Sequence, residues 1–379
     1  MSLCKRERGA KVNLIDQPLE LQSGVILKNR LFMAPLTTNS ATETGGISDE
    51  EALFFTKRAE GFGGVIIGSH SVSSDGDGFS NSWNIYRREN FKSLRRLVNT
   101  LQSSGAKVFL QLYHAGRLAL PDFIEGAQAI SPSRIPAERG MLSYPKPMTQ
   151  TDIQQMIGAF QRGTLRAIEL GFDGVELHGA NTYLIQQFFS PHSNRRTDKW
   201  GGSLDKRMCF AKELIEACLA VIKQYAVTKP FGLGYRFSPE EYETPGIRVE
   251  HTLEFVDEIS QLPLDYLHVS LNHYEKTSIF DGKEILPRVQ AQINAKMPLI
   301  ASGGIMTQQD VNKVMRQYPL LSVGNASLLN LDWAEKIVRK SGKIRCKIHI
   351  SEQQSLYMPD NLWQMLLCMP NLFEAKFSN

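Results

Sequence analysis

Eight short apolar runs, each followed by a longer segment with helical spacing of its apolar residues, constrain the fold of this chain more than any other feature. A run of roughly four to eight apolar residues bounded by turn residues predicts a buried strand, and strands that alternate with helices predict a parallel sheet. Eight such units predict a closed (β/α)₈ TIM barrel of the α/β class. The predicted strands are Leu31–Leu36, Gly64–Ser69, Lys107–Leu112, Asp173–Leu177, Phe231–Phe237, Tyr266–Leu271, Pro298–Gly303 and Leu320–Gly324.

The segments between these strands have the helical period, and several of them end at a glycine. Gly105 and Gly171 stand where a helix commonly ends in the left-handed conformation. An open, doubly wound sheet is the alternative fold, but its first strand–helix turn would carry a glycine-rich fingerprint that residues 34–38 lack. The predicted helices cover residues 50–61, 90–105, 151–171, 204–225, 248–261, 285–296 and 307–318.

Three further segments extend the predicted barrel. A turn around residues 22–24 predicts a hairpin over residues 14–27 that closes the barrel bottom. Residues 115–148 are too long for an ordinary loop and contain five of the 17 prolines, which indicates an excursion over the active face. The whole chain, 1–379, is therefore predicted to be one domain, with a barrel core at about 28–340 and a C-terminal tail at 343–379 that carries a helix.

Composition excludes several classes of partner. The 43 basic and 39 acidic residues are interspersed and give a net charge of +4, so there is no basic stripe for nucleic acid. No run approaches the ~18 apolar residues of a membrane-spanning helix, and no apolar signal region precedes the barrel. Five scattered cysteines without a CxxC pair predict a reduced, cytoplasmic protein without a metal site. The partner that remains to be expected is a small-molecule substrate. The sequence leaves the oligomeric state open, and a homo-oligomer is compatible with it.

Three polar side chains follow the fourth strand, at the end of the barrel where active sites of this fold lie. His178 and Asn181 can both donate a hydrogen bond to one oxygen, and the phenol of Tyr183 can deliver a proton. Donors aimed at a developing oxyanion, with an acid close by, are what activation of a carbonyl substrate requires. The alternative is a polar loop in which the histidine is only hydrogen-bonded to its neighbours.

Glycine-rich turns follow the seventh and eighth strands, at Ser302–Gly304 and Gly324–Asn325. Barrel enzymes commonly bind phosphate at these two positions through backbone N–H groups. The alternative is a pair of tight turns that require positive φ.

Arg236 emerges from the fifth strand, where a basic side chain is costly unless it meets an anion or another partner. A flavin would fit, because its reduced ring carries negative charge; Gln111 could then reach the polar edge of the ring and Thr37 the opposite carbonyl. The alternative is a structural ion pair between Arg236 and Glu176. These two interpretations remain open from the sequence.

The motifs taken together closely resemble the old yellow enzyme family of flavin-dependent ene reductases. The likeness runs from Lys28 to Trp333, and its most specific parts are residues 111–117 (QLYHAGR), 171–178 (GFDGVELH) and 190–207. The resemblance implies a (β/α)₈ barrel that binds FMN without a covalent bond and takes hydride from NADH or NADPH. It implies reduction of activated C=C bonds of α,β-unsaturated carbonyl compounds, with quinones and nitro compounds as further acceptors.

Carried over position by position, the resemblance also implies roles for individual residues. His178 and Asn181 would bind the carbonyl or nitro oxygen of the substrate, and Tyr183 would be the proton donor. The cofactor would be held by Pro35, Leu36, Thr37, Ser69, Gln111, Arg236, Ser302, Gly303, Gly304, Gly324 and Asn325.

Two positions depart from the family pattern. Asn325 stands where the phosphate turn usually has arginine, so one charge-assisted phosphate contact is lost, and Thr182 replaces a frequent glycine. Two rival functions also remain. One is a phosphate-binding barrel lyase or isomerase without a redox cofactor, and the other is a non-catalytic flavin-binding protein.

Overall fold

Thirteen strands are present in the computed structural model, which describes residues 14–138, 143–293 and 295–373. Eight of them, β3, β4, β6 and β9–β13, form one parallel barrel, and β3 pairs with both β13 and β4, which closes the sheet. In chain order the strands are β1 (Leu19–Glu20), β2 (Ile26–Leu27), β3 (Leu31–Met33), β4 (Gly64–Ser71), β5 (Trp83–Asn84), β6 (Lys107–Tyr113), β7 (Ile130–Ser131), β8 (Lys146–Pro147), β9 (Gly174–Gly179), β10 (Gly232–Phe237), β11 (Tyr266–Val269), β12 (Leu299–Ser302) and β13 (Leu320–Val323).

The eight barrel strands coincide with the eight predicted runs, so the predicted (β/α)₈ fold is confirmed. Helices follow the strands around the outside. They are α1 (Asp49–Ala59), α2 (Phe91–Ser103), α3 (Gln150–Leu170), α4 (Leu184–Phe189), α5 (Leu204–Tyr225), α6 (Val249–Ile259), α7 (Ile285–Ile293), α8 (Gln308–Val314), α9 (Asn325–Leu329), α10 (Trp333–Arg339) and α11 (Asp360–Leu367). None of these helices is long and apolar enough to cross a membrane.

Local sequence explains where several helices begin and end. Ser48 and Thr149 form capping boxes at the starts of α1 and α3, because each side chain accepts from the third backbone N–H of its helix. Gly171 ends α3 with a φ of 91°, as its position in the sequence predicts. The predicted helix at 307–318 extends too far, since α8 ends at Val314 and the chain must then turn to enter β13.

Inward-facing residues of the barrel strands form two layers. The lower layer is apolar and packs against the β1–β2 hairpin, which closes the barrel bottom as predicted. Two residues further along the strands, the inward side chains become polar, because successive side chains of a strand alternate between its faces. The lower cluster contains Leu21, Val25, Leu27, Phe32, Ile66, Phe109, Tyr266, Ile300 and Leu320.

The two longest additions both pack onto the barrel. The segment 115–148 places a small apolar cluster against Tyr113 and Tyr183, so it lies over the active face as predicted; its residues 139–142 lie outside the described residues. The C-terminal tail is held against α1 by Arg58, whose guanidinium donates to the carbonyl of Leu356 at 2.6 Å. Residues 1–13 and 374–379 of the predicted domain also lie outside the described residues.

Candidate active site

His178 lies at the mouth of the barrel as a neutral hydrogen-bond donor. It belongs to β9 and pairs in register with Arg236 of β10. Its Nδ1 accepts the backbone N–H of Ala180 at 3.3 Å, which assigns the ring proton to Nε2. Burial, together with the charge of Arg236, lowers the pKa of His178 well below its usual value. The ring therefore offers an uncharged Nε2–H to a ligand.

Asn181 follows in a tight turn and is held by Ser270. Asn181 and Thr182 both have left-handed backbone conformations, with φ of 57° and 64°. Ser270 Oγ donates to Asn181 Oδ1 at 3.0 Å, and Arg236 Nη2 donates to the same hydroxyl at 3.2 Å. Since the carbonyl oxygen of the Asn181 amide is engaged, its Nδ2 group remains to donate to a ligand.

Tyr183 completes the group with a protonated phenol. Its ring meets the imidazole of His178 edge-on, with centroids 5.0 Å apart, and contacts Tyr113 at 5.2 Å and Phe79 at 6.2 Å. Burial raises the pKa of Tyr183, so the hydroxyl keeps its proton at neutral pH. The turn through residues 181 and 182 thus brings an acid beside two hydrogen-bond donors.

A cavity of about 280 Å³ opens at the carboxyl ends of β3, β10, β12 and β13. At Gly303, where φ is 103°, a Cβ atom would lie 2.5 Å from the carbonyl oxygen of Leu271. Only glycine fits this approach, and the result is the narrow backbone turn that phosphate binding requires. Eight of the residues predicted to bind cofactor line the cavity, namely Pro35, Leu36, Arg236, Ser302, Gly303, Gly304, Gly324 and Asn325.

Arg236 supplies the cation of this cavity. Its Nε is buried and has no hydrogen-bond partner among the described residues. Glu176, the alternative partner predicted from sequence, instead accepts from Gln111 Nε2 at 2.7 Å and contacts His268 Nδ1 at 2.9 Å. Within the described part of the chain no carboxylate lies within 4.0 Å of Arg236. A guanidinium whose buried Nε has no hydrogen-bond partner, together with a glycine cradle, fits a phosphate-bearing, electron-rich group such as FMN.

The other predicted cofactor residues lie beside this cavity rather than in its lining. Gln111 is 1% exposed and is packed against Gly68, while Ser69 is buried and Thr37 is half-buried at the end of β3. Asn325 begins the short helix α9 directly after Gly324. In the described ranges no three His, Cys, Asp or Glu side chains are grouped to hold a metal ion.

Sequence reasoning missed three polar residues of the barrel interior. Ser270 and His268 belong to no motif in the sequence, and Glu176 is predicted only as the alternative partner of Arg236. The available signal was the two-residue period of the strands, because His268 and Ser270 continue the inward face of β11 that begins at Tyr266.

Comparison with known proteins identifies the class of this protein. The model of the NADH:flavin oxidoreductase / NADH oxidase family matches residues 15–343, and the chain belongs to this family. The resemblance drawn from the motifs is thereby confirmed, and the description of the family names a flavin and NADH.

Named relatives cover nearly the whole chain. An NADH:acrylate oxidoreductase of Vibrio harveyi is 39% identical over 93% of this chain. A Bacillus subtilis protein described as a probable NADH-dependent flavin oxidoreductase is 33% identical over 94% of the chain and 96% of its own length. The chain spans only 36% of the Vibrio protein and 39% of an NADH:fumarate oxidoreductase of Klebsiella pneumoniae, which is 36% identical over 93% of this chain.

Solved structures show the same fold. Morphinone reductase superimposes with a TM-score of 0.76 at 22% identity, over 90% of this chain and 92% of its own. An old yellow enzyme homologue from Zymomonas mobilis has a TM-score of 0.76 at 21% identity, over 93% and 99% of the two chains.

Proposed function

We propose that this chain is one barrel domain that oxidises NADH or NADPH and reduces the activated C=C bond of α,β-unsaturated carbonyl compounds, with quinones and nitro compounds as further acceptors. The observation that carries this proposal is a group of three neutral donors at the carboxyl end of β9, where His178 pairs in register with Arg236 of the cavity. These donors are His178 Nε2–H, Asn181 Nδ2 and the phenol of Tyr183.

His178 and Asn181 hold the substrate oxygen in this proposal. Both groups are uncharged N–H donors, so they bind a carbonyl in the ground state and gain strength as negative charge develops on its oxygen. Because Asn181 is held by Ser270, its amide is oriented before the substrate arrives. Withdrawal of electron density by these donors makes the β-carbon of the substrate electron-poor.

Tyr183 then protonates the α-carbon. Its phenol is kept protonated by burial and lies next to His178, so an oxygen held by His178 places the adjacent carbons near the hydroxyl. Bound FMN would supply the chemistry for hydride transfer from NADH or NADPH to the β-carbon. The glycine turns at residues 303–304 and 324 would hold the phosphate, and Arg236 would face the electron-rich ring.

The names of the relatives favour NADH as the donor and leave the acceptor open. The names of the Vibrio, Klebsiella and Bacillus relatives all include NADH, whereas the acceptors named are acrylate for the first and fumarate for the second. Family membership counts against a barrel lyase or isomerase without a redox cofactor. The oriented Asn181 and the free N–H of His178 count against a non-catalytic flavin-binding protein.

The proposal is tested with the purified protein reconstituted with FMN. We expect flavin absorbance that is bleached by NADH under anaerobic conditions and restored by 2-cyclohexenone, with cyclohexanone as the product. The double variant His178→Ala/Asn181→Ala should still be bleached by NADH but should not be restored by the enone. The double variant Asn312→Ala/His349→Ala, which changes the same residue types in α8 and the tail, should behave as wild type. Enone reduction that survives in the first double variant would refute the assignment of the oxygen site.

A further inference from the structure

A chain of four hydrogen-bonded side chains crosses the barrel interior below the proposed oxygen site. Gln111 Nε2 donates to Glu176 Oε1 at 2.7 Å, Glu176 Oε2 lies 2.9 Å from His268 Nδ1, and His268 Nε2 lies 2.8 Å from Ser322 Oγ. All four residues are at most 1% exposed. This series of hydrogen bonds begins at Gln111, a residue predicted to bind cofactor, and ends at Ser322, which lines the cofactor cavity.

Hydrogen bonding assigns the protons along this chain. Burial lowers the pKa of His268, and the nearby Arg236 lowers it further, although Glu176 opposes both; the ring is therefore neutral. Burial alone would raise the pKa of Glu176, but His268, Arg236 and Gln111 lower it overall, so the carboxylate is ionised. His268 Nδ1–H accordingly donates to Glu176, and His268 Nε2 accepts from the hydroxyl of Ser322.

Two consequences follow for the cofactor side of the cavity. One N–H of the Gln111 amide donates to Glu176, which fixes the orientation of the amide and leaves its carbonyl oxygen and its second N–H for a ligand. Arg236 and Glu176 carry opposite charges on the neighbouring strands β10 and β9, and the neutral His268 lies on β11, on the other side of β10. The net charge of the polar layer is therefore close to zero when no charged ligand is bound.

We propose that Glu176 and His268 are positioning residues that fix the orientation of Gln111 and balance Arg236, and that they thereby set the reduction potential of the bound flavin. This inference rests on the proposed FMN site. Loss of the Glu176 carboxylate leaves Arg236 without a counter-charge, and a positive surplus stabilises the reduced flavin, which carries the additional negative charge. The flavin should then become easier to reduce.

The test compares midpoint potentials of FMN-loaded variants. Glu176→Gln removes the charge and keeps the shape, and we expect a shift of the midpoint potential to more positive values. His268→Leu removes the donor from Glu176, whose pKa then rises so that it binds a proton; the same positive shift is expected. His268→Gln retains a donor and an acceptor and should restore a potential near that of wild type. Asp265→Asn is the matched control, because Asp265 is a buried carboxylate that accepts from Ser23 and Leu233 at the opposite end of the barrel.

The outcomes separate this inference from the proposed function. Positive shifts in Glu176→Gln and His268→Leu, with wild-type potentials in His268→Gln and Asp265→Asn, support it. An unchanged potential in FMN-loaded Glu176→Gln overturns it, and so does an equal shift in Asp265→Asn. If Glu176→Gln does not fold, the pair His268→Leu and His268→Gln decides in the same way. A wild-type protein that binds no FMN would instead refute the proposed function.

Discussion

Ser270 links Arg236 to Asn181 through one hydroxyl, accepting a hydrogen bond from the guanidinium at 3.2 Å and donating one to the amide carbonyl at 3.0 Å. A residue that would face the flavin is thereby connected to a residue that would bind the substrate. Because Ser270 engages the carbonyl oxygen of Asn181, the amide cannot flip without losing this bond. The orientation of the Asn181 amide, which would donate to the substrate, thus depends on the side chain of Ser270.

Replacement of Ser270 by alanine should weaken binding of para-substituted phenols, which carry a phenolate oxygen like that of an enolate. One hydrogen bond contributes about 0.5–1.5 kcal/mol, so the dissociation constant should rise roughly 2- to 10-fold. Titration of the long-wavelength charge-transfer band of the phenol complex measures this effect. Ser270→Thr keeps the hydroxyl and should bind as wild type; equal affinities of the alanine variant and wild type would contradict the positioning role.

Replacement of Tyr183 by phenylalanine should slow enone reduction and leave flavin reduction by NADH almost unchanged. A positioned acid contributes about 10²–10⁴-fold, and only the enone half-reaction needs the proton. Stopped-flow measurement of each half-reaction separates the two steps. Quinones should still be reduced, because their products take protons from solvent.

Tyr235→Phe is the matched control for this experiment, since its hydroxyl lies in the wall of the barrel, where the ring packs against Phe255. It should leave both half-reactions intact. If Tyr183→Phe slows flavin reduction as much as enone reduction, Tyr183 positions the nicotinamide or the loop and is not the acid.

Introduction of arginine at position 325 should tighten FMN binding. Asn325 begins α9 beside the glycine turn at Gly324 and lines the cavity proposed to hold the cofactor, and a charge-assisted hydrogen bond to phosphate contributes about 1.5–3 kcal/mol. The dissociation constant should fall at least roughly tenfold, as measured by quenching of flavin fluorescence. Asn312→Arg adds the same charge on α8, outside the cavity, and should have little effect; an equal gain in both variants would point to general electrostatic attraction.

Protonation of His70 should make the protein less stable below pH 6.5. Burial lowers the pKa of His70 from 6.5 to about 3, and the ring stacks on Trp83 with no hydrogen-bond partner among the described residues. Between these two pKa values the unfolded chain binds a proton that the folded protein excludes. The free energy of unfolding therefore falls by about 1.4 kcal/mol for each pH unit by which the pH is lowered.

The measurement is the free energy of unfolding by denaturant at pH 7 and pH 5, in wild type and in His70→Phe. Phenylalanine keeps the ring stacked on Trp83 but cannot bind the proton. Wild type should therefore lose about 2 kcal/mol more than the variant between the two pH values. Identical losses would show that His70 does not remain neutral in the folded protein.

The barrel could be predicted from the sequence because its signals are local. Each strand is a short apolar run, and Gly171 marks the end of α3 without knowledge of any distant residue. The site residues at the ends of strands could also be proposed, since the fold places its active site there. The choice between the alternative roles of these site residues, however, depends on contacts between residues that are far apart in the sequence.

Pairing across the barrel could not be predicted from the sequence. Ser270 is 89 residues from Asn181, and His268 is 92 residues from Glu176. Whether these side chains meet depends on the strand register, in which a shift of one residue would turn the inward face outward. For the same reason the sequence left open whether Glu176 pairs with Arg236, and the register shows that Glu176 meets Gln111 and His268 instead.

The change from an apolar to a polar layer inside the barrel has a consequence for how mutations would be tolerated. Phe109 and Gln111 are successive inward residues of β6, about 7 Å apart along the strand, and Phe109 packs against Phe32 and Tyr266. A truncation at Phe109 opens a void in the core and should reduce the yield of folded protein. A truncation at Gln111 removes a donor from the buried Glu176 and should chiefly alter the colour of the protein. Selection for folding and selection for chemistry thus act on adjacent inward positions of one strand.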